Sequence, residues 1–436
     1  MASGGQLRRI LGLGFGLAAS AGGTLGIGIL RSPGVVAEQL PAAPAILAVW
    51  LLGGLYTLLG ASCLTELGTM APEAGGYYVY ARRAFGDRIG LVVGWTDWLT
   101  SCSVLGYLSI AMSEFAAALV PALAGAIRPL AIAILVGFVA LQWAGVRLSS
   151  RFQAWATAVK FVAFVALGVA ALAVGGAGGA GGAAPVSMSP SLTGVVTALQ
   201  LVVITYAGWQ GALYFTEEDR DPARNLPRAV IGSVALVIAV YVLVNLALLA
   251  VLPMPELARA TLPAAAAAEH LVGPRGGQLI TLLSLVAGPS ILNSVMMVGT
   301  RILFALGRDG LVWSAAARVN RSGTPGVATL VTTAAAVGLI ATGSLGRLVA
   351  IAACYLALNH ALCCLAMVVL RRREPATPRP FRAWGYPWSA AIVIAGAAAL
   401  LVAAVAADPA TSGLAAGLAA AGLAVRAASV GLGARG

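Results

Sequence analysis

Residues 20–33 read SAGGTLGIGILRSP and lie in an apolar run, residues 10–30, long enough to cross a bilayer. Four glycines and a threonine stand near its middle. Glycine weakens a helix and bares backbone polar groups. In hydrocarbon those groups need partners, so irregular backbone at that depth is tolerated only inside protein or along a wet cavity. The stretch therefore reads as a membrane helix broken in order to bind something.

Its counterpart is TYAGWQG, residues 205–211, in the middle of another apolar run five spans later. Two polar, glycine-bearing breaks five spans apart are the trace of an inverted repeat of five helices each. Helices 1 and 6 are then discontinuous at the bilayer midplane. Positive and negative half-helix ends face one cavity. The N–H groups around Gly26, Ile27 and Gly28 suit a carboxylate, and the carbonyls around Tyr206 and Ala207 suit an ammonium. A zwitterionic L-amino acid meets both, with its side chain bounded by Ile204, Tyr206, Trp209 and Tyr107. Glycine also serves close packing in membrane helices, which accounts for one such break more readily than for two.

Composition agrees. The 436 residues are 60% hydrophobic and only 10% charged, against about 25% charged in soluble domains. Apolar runs of about 20 residues recur throughout, which fits helices and not the alternating ten-residue strands of a barrel. The fold expected is an all-α integral membrane protein of twelve transmembrane helices. The spans are 10–30, 43–65, 89–120, 129–147, 152–174, 191–216, 229–252, 277–306, 325–342, 345–370, 387–406 and 410–430. Residues 1–174 form the first five-helix repeat. Residues 175–370 form an external loop, GGAGGAGGAAP at 175–185, and the second repeat; residues 371–436 form a cytoplasmic linker and the last two helices.

The net charge of +12 does not indicate nucleic acid, because no basic domain exists and the arginines sit in short loops. With the N-terminus inside, 21 basic residues fall on the inner side and five on the outer: Arg31, Arg128, Arg259, Arg275 and Arg347. That asymmetry places both termini in the cytoplasm. The run from Arg8 and Arg9 into a long span leaves no signal-peptide pattern. The linker RRREPATPRPFRAWGYP, residues 371–387, offers arginines to anionic lipid headgroups. The five cysteines lie in apolar stretches without metal-ligand spacing, so neither a metal nor a cofactor is expected.

Lys160 is the only lysine among the 27 basic residues. It lies nine residues past Arg151, or about 13 Å of helix, well inside the membrane. A buried ammonium at that depth pairs or serves a function. Two functional readings stand: a proton carrier that holds broken span one through backbone carbonyls, or a permanent cation in the place of a sodium ion. A purely structural lysine is the third. Glu114, toward the outer end of span three, is a second candidate for proton transfer. Asp97 reads as interfacial, His360 as an ordinary hydrogen-bonded histidine beside Asn359, and Pro289 as a bend in span eight with Ser290, Asn293 and Ser294 nearby.

The residues quoted resemble the amino acid–polyamine–organocation transporter family, particularly its amino acid permeases and L-type relatives. GGTLGIGILRSPG is similar to that family's broken first helix, whose G-x-G-I-(F/L)-x-x-P core binds the substrate carboxylate. PEAGGYYVYARRAFGDRIGLVVGWTDW (72–98), YAGWQGALYFTEEDRDPARNLPRAV (206–230), RILFALGRDG (301–310) and RPFRAWGYP (379–387) look like further family blocks, spread over nearly the whole chain. The resemblance implies the LeuT-like inverted repeat. It also implies sodium independence, because Lys160 falls where sodium-independent members carry a fifth-helix lysine. Ile204 stands where many relatives place an aromatic gate; it occludes without stacking on substrate, and it favours neutral over cationic substrates. Glu217 and Glu218 read as ion-pair partners of inner arginines such as Arg301, forming a closing latch. No cysteine falls in an external loop, so a disulfide-linked heavy subunit is not expected.

The function expected is secondary active transport of an L-amino acid across the plasma membrane, proton-coupled or exchanging. Arginine and alanine usage points to a bacterial inner membrane. The alternatives are an amino acid/polyamine antiporter for cationic substrates and a channel. An ATPase is disfavoured by the lack of G-x-x-x-x-G-K-[ST]. An enzyme is disfavoured because no Ser–His pair, facing aspartates or H-E-x-x-H is present.

Overall fold

The computed structural model describes residues 7, 9–40, 42–178, 191–320 and 323–433. Over those residues the chain is helical apart from turns and short loops. The helices are α1 (Leu13–Thr24), α2 (Ile27–Gln39), α3 (Ala43–Met70), α4 (Tyr77–Phe85), α5 (Asp87–Leu119), α6 (Ile127–Trp143), α7 (Val146–Gly178) and α8 (Leu192–Thr205). They continue as α9 (Pro222–Val251), α10 (Met254–Arg259), α11 (Pro263–Val272), α12 (Gly276–Arg308), α13 (Gly326–Thr342), α14 (Leu345–Arg373), α15 (Trp388–Ala407) and α16 (Pro409–Gly433). A 3-10 segment, Trp209–Phe215, prolongs α8 past a turn.

Ten helical segments are long and apolar enough to cross a membrane, and α1 with α2 makes an eleventh bent by 40°. The shorter apolar helix α13 lies between two of them. The protein is thus a multi-pass membrane protein. α5, α12 and α14 are about half buried along their apolar windows, whereas α6, α15 and α16 present most of their apolar surface outward. Among these elements α5 packs most extensively on α12 and α14, and α9 on α3 and α7.

The observed boundaries differ from the expected ones at several places. Span one does not end at residue 30: α2 carries on to Gln39, with Pro33 inside it. Its polar residue Ser32 is buried and hydrogen-bonded to Thr205 Oγ1 at 2.9 Å, so hydropathy understates the helix. α9 begins at Pro222, seven residues before the apolar run, because proline suits a helix's first turn. α7 extends through Gly178, into the stretch read as an external loop; residues 179–185 of that stretch lie outside the described residues. So do Arg8, Arg321 and Arg435.

Candidate functional site

Span one stops being helical at Leu25 and Gly26, both in extended backbone, and restarts at Ile27. α8 stops at Thr205. Gly208 then takes a φ of +117°, in the left-handed region that favours glycine, and the chain resumes as a 3-10 segment. The two breaks meet backbone to backbone. A Cβ on Gly23 would stand 2.7 Å from the Gly208 carbonyl oxygen, and one on Gly208 would collide with the Gly23 carbonyl. Gly211 is pressed likewise against Ala19, 2.7 Å from its carbonyl oxygen. The glycines of both breaks are therefore set by close approach. Gly208→Ala is expected to lower the thermal midpoint in detergent and to reduce transport by about tenfold or more, since a left-handed alanine costs about 1–2 kcal/mol before the collision is counted. Unchanged stability and uptake would show that the crossing tolerates a Cβ.

Side chains from neighbouring helices bond to carbonyls at the breaks and in the turn before them. Tyr241 of α9 donates its hydroxyl to Thr24 O at 2.8 Å and to Thr205 O at 3.2 Å, joining the ends of α1 and α8. α7 presents a stripe at helical spacing toward α1. Gln153 and Thr157 donate to Ala18 O at 3.1 and 3.2 Å, and Lys160 Nζ donates to Gly22 O and Leu25 O, each at 2.5 Å. Lys160 is fully buried. Gly22 permits this, because a Cβ there would overlap Thr157 and Gln153. From α12, Ser294 donates to Ala19 O at 3.2 Å.

Accessible surface runs along the breaks. Gly28 and Ile204 are exposed, and Ile27, Tyr107, Ala207 and Gly208 are part-exposed; Gly26 is covered, with Ile291 of α12 against it. Ile27 and Gly28 open α2, where no carbonyl within the helix reaches their N–H groups. Ile204, Ala207 and Trp209 line a cavity of about 190 Å³ between α3, α8, α14 and α15. Tyr56, Thr57, Gln200, Trp209 and His360 bring polar atoms to its wall, and apart from Gly60 the rest is aliphatic.

Several expected roles fall differently. Tyr206 does not bound this cavity. It is buried on the far side, its hydroxyl donating to Trp50 O at 3.2 Å and its ring 4.9 Å from that of Tyr241. A side chain leaving an unwound turn follows no helical period, so its direction was not given by spacing. Gly26, Ile27, Gly28 and Tyr107 stand outside the cavity wall as well. Both glutamates pair with arginines of α12, as expected, but with different ones. The Arg301 guanidinium holds Glu218 at 2.9 and 3.2 Å, fully buried, while Glu217 accepts from Arg308 at 2.8 Å and from the Ala74 N–H at 2.9 Å. Glu114 is exposed near the C-terminal end of α5. Asp97 is buried, and accepts the Tyr214 hydroxyl at 2.8 Å. Pro289 is carried inside an unbroken α12. In the linker, Arg371 and Arg379 reach the buried Glu66 instead of a lipid surface, Arg379 at 3.3 Å. Sequence reasoning missed Glu66 because a single glutamate near a helix end carries no signal of burial.

A bundle of long apolar helices, with two broken segments crossing at their glycines beside an apolar cavity, defines a membrane transporter rather than an enzyme. The amino acid permease family model matches residues 12–422, and the chain belongs to that family. It is similar to Asc-type amino acid transporter 1 of Mus musculus, 28% identical over 86% of this chain and 73% of that protein. It is likewise similar to large neutral amino acids transporter small subunit 2 of Mus musculus, 27% identical over 86% of this chain and 73% of that protein. The serine/threonine exchanger SteT of Bacillus subtilis (strain 168) is 26% identical over 89% of this chain and 90% of its own. The crystal structure of MhsT in complex with L-phenylalanine has the same fold, with a TM-score of 0.63 over 92% of this chain and 98% of MhsT at 15% identity.

Proposed function

We propose that the protein moves neutral L-amino acids across the plasma membrane by alternating access, without sodium, in exchange or with protons. The observation that carries this reading is the crossing of the two breaks at Gly23 and Gly208 beside an apolar cavity. The start of α2 at Ile27 and Gly28 offers N–H groups to a carboxylate, and the turn at Tyr206 and Ala207, past the end of α8, offers carbonyls to an ammonium. The cavity behind Ile204, Ala207 and Trp209 receives the side chain. Its lining contains no Asp or Glu, which favours neutral over cationic substrates.

Sodium independence rests on Lys160, whose ammonium already occupies the carbonyls of Gly22 and Leu25. In this reading the chain has twelve spans, counting α1 with α2 as one and α13 as another. Residues 1–174 and 175–370 are the inverted repeats, both termini are cytoplasmic, and the cell is bacterial. The end of the bundle that this reading places in the cytoplasm is held together: Leu11 exchanges backbone hydrogen bonds with Glu218 and Arg220, and Glu217 and Glu218 are both paired to α12. All five cysteines are buried, which in this reading leaves none at the surface for a disulfide-linked subunit.

The test is uptake of labelled amino acid by proteoliposomes preloaded with the unlabelled compound, with all twenty amino acids as competitors and an imposed proton or sodium gradient. Stimulation by internal substrate is expected, with neutral amino acids competing. No such stimulation would indicate a pore, and competition by cationic compounds alone would indicate the antiporter. A sodium requirement would remove the reading of Lys160.

A further inference from the structure

Asp97 lies ten residues past Asp87 at the start of α5, about 15 Å along the helix, and is buried. A carboxyl at that depth is expected to meet a cation. Among the described residues no Arg or Lys forms an ion pair with it, and its hydrogen-bond partner is a neutral hydroxyl, that of Tyr214 at 2.8 Å. The titratable groups set against it are Tyr214 from the 3-10 segment, Tyr77 from α4 and Cys363 from α14. The other neighbouring contacts are uncharged. Thr96 donates to Asn359 of α14 at 2.9 Å, Trp98 to Thr332 of α13 at 3.0 Å, and Trp95 to Leu418 O of α16 at 3.0 Å. On α12, Gly299 touches Ser101 and Leu306 touches Gly94, so the stretch between them faces this part of α5. It carries Arg301, whose guanidinium is engaged by Glu218. Asn359 Nδ2, in the same layer, is buried and makes no hydrogen bond.

The surroundings link this carboxyl to moving parts. Tyr214 follows Gly208 by six residues, in the 3-10 half of the broken segment. Its ring lies 5.8 Å from that of Tyr77. The Tyr77 hydroxyl is 3.2 Å from His360 Nε2, and His360 stands in the cavity wall with its ring 5.6 Å from that of Trp209.

We infer that Asp97 is a proton-binding site of the transport cycle, distinct from Lys160, whose protonation loosens the 3-10 half of the broken segment from α5. The inference rests on the transport reading above. The step is simple: the carboxylate takes one proton from solution and becomes a neutral acid, with no bond between heavy atoms made or broken. The ionised group accepts the Tyr214 hydroxyl in a charge-assisted bond, roughly twice as strong as a neutral one. Protonation removes that advantage and frees Tyr214, and with it the contact through Tyr77 to His360, to shift.

The test is counterflow of radiolabelled L-serine, L-leucine and L-phenylalanine in proteoliposomes at equal pH on both sides, scanned between pH 5 and 9. Wild type is expected to vary by about fivefold or more across the scan, and Asp97→Asn by less than about twofold. Tyr214→Phe, which keeps the ring and removes the hydrogen bond to the ionised form, is expected to move the acid limb of the profile to higher pH. A merely structural Asp97 would not produce that displacement. A flat wild-type profile, an Asp97→Asn profile that matches wild type, or an acid limb unmoved by Tyr214→Phe each overturns the inference. If Asp97→Asn does not fold, Tyr214→Phe decides alone. Absence of counterflow of any amino acid in wild type overturns the transport reading instead.

Discussion

Lys160→Met is expected to reduce amino acid uptake by about a hundredfold while leaving a monodisperse protein. Methionine keeps most of the volume but leaves Gly22 O and Leu25 O without the donor that now holds them. A buried carbonyl without a partner costs about 1–3 kcal/mol. Two of them at about 1.4 kcal/mol each amount to a factor of about 100. The cost falls on the break itself, because the remaining contacts of α7 with α1, through Gln153 and Thr157, are untouched. The bundle therefore persists while the break relaxes into geometries that no longer present Ile27 and Gly28 to a carboxylate. Uptake by wild type is expected to be the same in sodium and in choline, since in the proposed reading the ammonium fills the place a sodium ion would take. Uptake by Lys160→Met at the wild-type rate, with the same pH dependence, would reduce Lys160 to a packing residue.

Much of this architecture was legible because hydrocarbon imposes strong constraints on sequence. A span must be about twenty apolar residues long, so runs such as 277–306 and 345–370 locate α12 and α14 to within three residues. A break must show as small and polar residues in a place that tolerates neither, and both breaks appear where SAGGTLGIGILRSP and TYAGWQG place them. Lys160 was legible for the same reason: a lone ammonium at that depth has to be paired. What escaped was side-chain direction where the backbone is irregular. Tyr206 and Ala207 are neighbours in an unwound turn, yet one packs against Trp50 and the other faces the cavity. Glu217 and Glu218 are also neighbours in a turn, and one faces Arg308 while the other is buried on Arg301. Asp97 escaped because burial near a helix end depends on what covers it. Here the covering is α4, whose Tyr77, Tyr78 and Tyr80 are buried under α14 and α5, and whose existence no hydropathy run announces.

Glu218→Gln is expected to destabilise the protein severely, and Glu217→Gln hardly at all, although the two residues are adjacent. Glu218 and Arg301 are 1% and 0% exposed, joined by two hydrogen bonds, with the guanidinium 5.3 Å from the centroid of the Phe215 ring. Removing one charge of such a pair leaves the other buried and uncompensated, at a cost of about 3–5 kcal/mol. Glu217 shares its partner Arg308 with solvent, their side chains being 26% and 31% exposed, and a pair of that kind contributes about 0–1 kcal/mol. Thermal midpoints in detergent separate the two, and equal losses would contradict the geometry. The double variant Glu218→Met, Arg301→Met discriminates further. Replacing both charges with apolar side chains removes the orphaned ion, so the thermal midpoint is expected to recover most of what Glu218→Gln loses. Transport is not expected to recover with it. The pair joins the C-terminal end of the broken segment to α12, beside the backbone bonds between Leu11 and Glu218 and Arg220. An apolar contact there holds the bundle together but does not specify when the end of the segment is docked. Recovery of stability and transport together would show that the pair is only a strut, and this end of the segment would then have to be held by Leu11 and Arg308 alone.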